Sequence, residues 1–177
     1  MAITQIEKGV YRIFKADSSN SSIQYTDDYG ATWSKSEGLV GSKTTYPLVD
    51  PNNPAIVYGS GINYNDYWAS NPNNKEPSLE DAHYAFYISD DYGATFTKTI
   101  VGKYDMCDHT GDLAYLKEDS ILMALGWNGV YSITEKGSKI EKTNVFYCKT
   151  LGYGAPKPGS VFNTIYMYGK TTESDDE

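Results

Sequence analysis

Short runs rich in tyrosine, valine and isoleucine recur along the chain, separated by clusters of glycine, proline, asparagine and aspartate. Such runs predict strands, because β-branched and aromatic side chains fill a pleated surface while the intervening residues supply turn geometry. Strands are expected at 9–16, 21–27 and 32–37, and then at 45–49, 55–59, 84–89 and 95–101. A third group falls at 112–116, 121–126, 130–134 and 139–143, and a final pair at 145–152 and 164–170. Between 49 and 55, the stretch Asp50-Pro-Asn-Asn-Pro54 has the proline and asparagine chemistry of a turn. Alternations such as Gly129-Val-Tyr131 and Phe86-Tyr-Ile88 favour strands over helices, so the expected class is all-β.

One ten-residue phrase occurs twice: Thr26-Asp-Asp-Tyr-Gly-Ala-Thr-Trp-Ser-Lys35 and Ser89-Asp-Asp-Tyr-Gly-Ala-Thr-Phe-Thr-Lys98. It has the form of a hairpin clamp. The Asp28 and Asp91 carboxylates accept backbone and hydroxyl hydrogen bonds in a tight turn opened by Thr26 and Ser89. Gly30 and Gly93 supply positive φ, and Trp33 and Phe96 are expected to bury their rings in the adjoining sheet. A worn third copy lies at Ile133-Thr-Glu-Lys-Gly-Ser-Lys-Ile140, with Glu135, Gly137 and Ile140 at the matching positions.

The copies begin 63 and then 44 residues apart, and spacings near the smaller figure point to propeller blades or arrays. The excess is concentrated in an insertion at 60–83. Counting strands gives units of about 9–40, 41–102, 103–144 and 145–177, with three, four, four and two strands. The expected architecture is therefore three to four β-propeller blade units, each a four-stranded antiparallel sheet, in an incomplete ring. Sheet edges left open in this way are normally paired or covered, which predicts the remainder of a propeller or a second chain as a partner.

Composition narrows the function classes. A net charge of −8 and a single arginine, Arg12, exclude a nucleic-acid surface, which needs clustered cations. They also exclude sialidase chemistry, which grips a substrate carboxylate with several arginines. No stretch approaches the roughly 18 apolar residues of a membrane helix, and the opening residues form no signal peptide. Cys107 and Cys148 are open to pairing or to two buried thiols, and Asn20 begins a glycosylation triplet. The aspartate pairs at 27–28 and 90–91 lack the ligand spacing and closing glutamate of a calcium loop, so neither a metal nor another cofactor is expected.

The two phrases resemble the Asp-boxes, also called BNR repeats, that mark the β-propellers of sialidases, sortilin-like receptors and several glycosidases. More of the chain is similar to one group. Ser36-Glu-Gly-Leu39 follows the first box, Phe86-Tyr-Ile-Ser-Asp90 leads into the second, and Leu151-Gly-Tyr-Gly-Ala-Pro-Lys-Pro-Gly159 precedes Ile165-Tyr-Met-Tyr-Gly169. That order resembles the C-terminal part of the xyloglucanases of glycoside hydrolase family seventy-four, over most of 9–170. The resemblance implies a secreted, extracellular setting and endo-hydrolysis of β-1,4-glucans by inversion, between two aspartates about 6.5 to 9.5 Å apart. Neither aspartate is recognisable in this chain. Gly111-Asp112 shares only the Gly-Asp pair, and no catalytic residue is assigned.

In a four-stranded blade, the third hairpin and the loop between the second and third strands lie at opposite ends, so the clamps mark one face and the binding loops the other. The second face gathers Tyr64, Tyr67 and Trp68 of the insertion, Tyr104, Asp105, Asp108 and His109, and Trp127. Aromatic rings stack on apolar sugar faces while carboxylates bind hydroxyls, so these residues are the expected glycan contacts. The alternative for each ring is that it covers the end of its own sheet. For Asp105, Asp108 and His109 it is a solvated, hydrogen-bonded loop. The expected partner is a plant cell-wall polysaccharide; the other reading is a protein-interaction or scaffolding module of an extracellular carbohydrate-degrading assembly.

Overall fold

The predicted runs become strands wherever apolar and polar residues alternate, and consecutive strands pair antiparallel. The computed structural model describes residues 2–17, 22–39, 42–44, 47–63, 83–103 and 111–172. The chain divides into two compact units, Met1–Tyr104 and Asp105–Glu177.

In the first unit, β1 (Ala2–Glu7), β2 (Val10–Asp17), β3 (Ser22–Thr26) and β4 (Ser34–Lys35) form a four-stranded sheet in chain order. Strand β1 was not expected. Its inward face is Ala2, Thr4 and Ile6 and its outward face Ile3, Gln5 and Glu7, so a buried threonine and an exposed isoleucine blur the apolar-in pattern. The Thr4 hydroxyl is satisfied by donating to the Pro54 carbonyl at 2.6 Å.

The second sheet contains β5 (Ser42–Thr44), β6 (Leu48–Val49), β7 (Val57–Asn63), β8 (His83–Ser89) and β9 (Thr97–Lys103). Both β5 and β6 pair with β7. Of the strand expected at 45–49, Leu48–Val49 form β6 and 45–46 lie outside the described residues; β5 precedes it and was not expected. The Asp50 turn forms as its residues suggest: Asp50 Oδ1 accepts from the Asn52 and Asn53 amides at 2.8 and 3.1 Å, and Oδ2 accepts from the Tyr58 hydroxyl at 2.8 Å.

Between these two sheets lies one core of Phe14, Ile23, Leu39, Val57, Ala85, Tyr87 and Phe96. Each large side chain here contributes about 1.5–3 kcal/mol through burial. Strand β2 shows the rule that fills the core, since Phe14 is buried while its neighbours Ile13 and Lys15 are only partly so.

The second unit is a four-stranded sheet of β10 (Leu113–Lys117), β11 (Ser120–Ala124), β12 (Val130–Thr134) and β13 (Lys139–Lys142), followed by the hairpin β14 (Tyr147–Pro156) and β15 (Asn163–Lys170). A tight turn at Glu135–Gly137, with all three residues in left-handed backbone at φ 51°, 54° and 90°, joins β12 to β13 where the worn phrase was expected. Ala124, Val130 and Cys148 form one buried cluster of this unit, supported by Leu122, Val145 and Leu151, and Ile121, Met123, Leu125 and Ile133 are buried as well. Among the described residues the sheets thus hold four, five, four and two strands.

Candidate functional site

The doubled phrase closes into the same clamp twice. In the first, the Thr26 hydroxyl donates to Asp28 Oδ1 at 2.6 Å and accepts from the Gly30 amide at 2.9 Å. The Thr32 amide and hydroxyl then donate to the two Asp28 oxygens at 2.8 and 2.6 Å. In the second, Ser89, Asp91, Gly93 and Thr95 repeat every bond, at 2.7, 2.8, 2.9 and 2.7 Å. The turn needs two successive left-handed residues, Tyr29 and Gly30 at φ 57° and 96°, and Tyr92 and Gly93 at 58° and 75°. These bonds from Thr26 and Thr32 hold the Asp28 carboxyl down at about 2. Burial pushes the Asp91 carboxyl up, but its hydrogen bonds from Thr95, Ser89 and Ala94 outweigh that and the net direction is down.

The two rings differ from each other. Phe96 is buried in the core as expected, whereas Trp33 is 36% exposed with the Lys15 ammonium 3.8 Å from its ring centre. Trp33 therefore shields the clamp from outside rather than filling the core. The second clamp is wedged against the first sheet: Gly93 lies so close to Phe14 that an added Cβ would sit 2.6 Å from Cε1. The Ser36 hydroxyl donates to the Gly93 carbonyl, and Glu37 and Thr95 form a parallel bridge. Arg12 completes the seam. It binds Asp27 through two 2.8 Å hydrogen bonds, donates to the Tyr92 carbonyl at 3.1 Å, and lies 3.9 Å from the centre of the Tyr25 ring. The one arginine is thus a fastener, a role that composition alone did not suggest.

The opposite ends of the strands lead to the predicted binding loops. Tyr64, Tyr67, Trp68, Tyr104, Asp105, Asp108 and His109 lie outside the described residues, as do Asn20 and Cys107. Trp127 is described, and its surroundings form the candidate site. It sits in the turn between β11 and β12, at the other end of β12 from Glu135–Gly137. That turn is tight, with the Leu125 amide donating to Gly129 at 2.8 Å and the Gly129 amide to Gly126 at 3.0 Å. Gly129 has φ 80°, and a Cβ there would collide with the Val145 carbonyl.

Gly126 and Cys148 then exchange amide hydrogen bonds at 3.0 and 3.1 Å, which brings the entry to β14 alongside the turn. Trp127 consequently lies 4.5 Å from the ring centre of Tyr147 and 5.9 Å, edge-on, from Phe146. It remains 47% exposed. Phe146 and Tyr147 were read as ordinary strand residues. Only the long-range bridge between Gly126 and Cys148 shows that they belong with Trp127.

Cys148 is a buried free thiol that donates to the Thr150 carbonyl at 3.4 Å, and burial pushes its pKa up. Asp112 is occupied as an acceptor for the Thr150 hydroxyl. No group of three metal-ligating side chains occurs among the described residues. No helix among them is long and apolar enough to cross a membrane.

Among solved structures, a GH74 enzyme from Niastella koreensis superposes with a TM-score of 0.63 at 21% identity, covering 90% of this chain and 20% of its own. This chain therefore spans about a fifth of that enzyme's length. At this identity the likeness speaks to the fold alone, and it agrees with antiparallel sheets of propeller-blade type. A protein described as a gluconolactonase aligns over 93% of this chain and 69% of its own at 14% identity, with a TM-score of 0.29 that supports no shared fold. No protein-family model matches the chain. No curated protein matches it either.

Proposed function

We propose that this chain is a non-catalytic propeller segment of a secreted, glycan-active protein, and that its Trp127 surface contacts a neutral β-1,4-glucan of xyloglucan type. The carrying observation is the half-exposed Trp127 ring, braced by Tyr147 and Phe146 at the end of its sheet opposite the β12–β13 turn. A braced ring loses little freedom on binding, and its exposed face matches the apolar face of a pyranose. Net charge −8 favours a neutral polysaccharide over an acidic one.

Tyr64, Tyr67, Trp68, Tyr104, Asp105, Asp108 and His109 join this reading as expected contacts. The likeness in fold to a GH74 enzyme supports it, as does the order of Asp-box-like motifs. With neither catalytic aspartate recognisable, the role assigned is binding. Affinity electrophoresis in gels containing soluble xyloglucan tests it: the chain should be retarded, Trp127→Ala should migrate as in a gel without polysaccharide, and an unretarded parent rejects the reading. A protein-interaction module of an extracellular carbohydrate-degrading assembly is the second reading, favoured by β15, which among the described residues pairs only with β14.

A further inference from the structure

We propose that Lys170 is the hydrogen-bonding arm of the Trp127 platform, its ammonium donating to hydroxyls of the β-glucosyl ring that stacks on Trp127. This role rests on the glycan reading above and adds to it a residue from a different strand. A β-glucosyl ring carries its hydroxyls equatorially, so they point sideways while the apolar face rests on an aromatic side chain. Polar groups that bind a stacked sugar must therefore stand beside the platform, and a long donor side chain meets that need. An ammonium is suited to it, since hydrogen bonds from a charged donor are stronger than those between neutral groups.

Strand pairing puts Lys170 in that position. Gly126 and Cys148 bridge along one edge of β14, and Tyr147 pairs with Lys170 along the other. The turn of Trp127, the start of β14 and the end of β15 thus lie side by side. Directly paired antiparallel residues project from the same face, with Cβ atoms about 4.5–5.5 Å apart. Lys170 therefore leaves β15 next to Tyr147, whose ring centre is 4.5 Å from that of Trp127.

Two features hold the lysine's backbone there. The Phe146 amide donates to the Lys170 carbonyl at 3.1 Å, and Gly169 permits the close approach, because a Cβ at Gly169 would collide with the Tyr147 carbonyl. Lys170 is only partly exposed, which fits a stem lying along the sheet and an ammonium reaching water. Lys149 is closer to Tyr147 in sequence but is not equivalent. It falls at the register shift between Cys148 and Thr150, where the ladder skips a residue, and it is exposed. It has the same charge on the same hairpin without a paired place beside Tyr147.

Affinity electrophoresis of the full chain over a series of xyloglucan concentrations tests this role, each variant being read against its own mobility in a gel without polysaccharide. Lys170→Met keeps an unbranched stem and removes the donor, and it should weaken binding at least about tenfold. Lys170→Arg should recover most of that loss, and Lys149→Met should bind as the parent does. Near-ultraviolet circular dichroism separates a sugar contact from a brace of the platform. The signal that Trp127→Ala removes reports the indole packed at 4.5 Å on Tyr147, and without sugar it should be unchanged in Lys170→Met. Binding of Lys170→Met equal to the parent overturns the proposal, as does an equal loss in Lys149→Met, no recovery in Lys170→Arg, or loss of the aromatic signal in Lys170→Met. An unretarded parent rejects the glycan reading and the lysine's role together, whereas a parent and Lys170→Met retarded alike reject the lysine's role alone.

Discussion

The Ser36 hydroxyl donates a buried 2.7 Å hydrogen bond to the Gly93 carbonyl, linking the residue just after the first clamp to the turn inside the second. Together with Arg12, which bridges Asp27 and Tyr92, it makes the two copies of the phrase parts of one seam between neighbouring sheets. Each copy thus closes its own hairpin, and the second also receives the adjacent sheet.

Ser36→Ala should destabilise the chain by about 1–3 kcal/mol, because the buried Gly93 carbonyl loses its side-chain donor. Urea unfolding should show a lower midpoint with an unchanged slope.

Gly93→Ala should cost more than Gly9→Ala. Both glycines have positive φ, at 75° and 82°, so both substitutions meet a left-handed penalty of about 1–2 kcal/mol. Only Gly93 adds a collision with Phe14, since nothing lies within 4 Å of a Cβ at Gly9. The extra crowding should cost about 1–3 kcal/mol, read as the difference between the two denaturation curves.

Acid should loosen the clamps. The Asp28 carboxyl is lowered from 3.8 to about 2 and Asp91 is lowered as well, so both bind protons more weakly folded than unfolded. Their contribution is fully present above the unfolded value and is lost as pH falls through the folded one. Stability should therefore decline between about pH 4 and pH 2, with a shallower decline in Asp28→Asn. An identical slope in parent and variant would count against the clamp as the source.

Cys148 should be inert in the folded chain, because its thiol is buried and burial raises its pKa. In a Cys107→Ser background, iodoacetamide should modify the native protein at least about tenfold more slowly than the urea-unfolded one.

Much of this architecture was legible because its causes are local. The clamp bonds span two to four residues, and the β12 and β13 strands end almost where apolar alternation ends. Strand β1 was hidden because its inward face carries the polar Thr4 and its outward face Ile3, and the short β5 lies ahead of the strand expected at 45–49. The separate fates of Trp33 and Phe96 depend on which ring meets the neighbouring sheet, and no ten-residue phrase encodes that. At the candidate site Trp127 was legible as an exposed turn residue. Its braces, Phe146 and Tyr147, were not, because they arrive through a bridge spanning 22 residues from Gly126 to Cys148.

The central claim is that the clamp end of a sheet fastens and the opposite end binds, and two half-exposed tryptophans separate these roles. Isothermal titration with a xyloglucan oligosaccharide should compare the parent with Trp127→Ala and Trp33→Ala. The account predicts heat of binding for the parent, binding weakened at least about tenfold, or about 1.4 kcal/mol, by Trp127→Ala, and an unchanged isotherm for Trp33→Ala. No heat with the parent, or equal losses in the two variants, would contradict it.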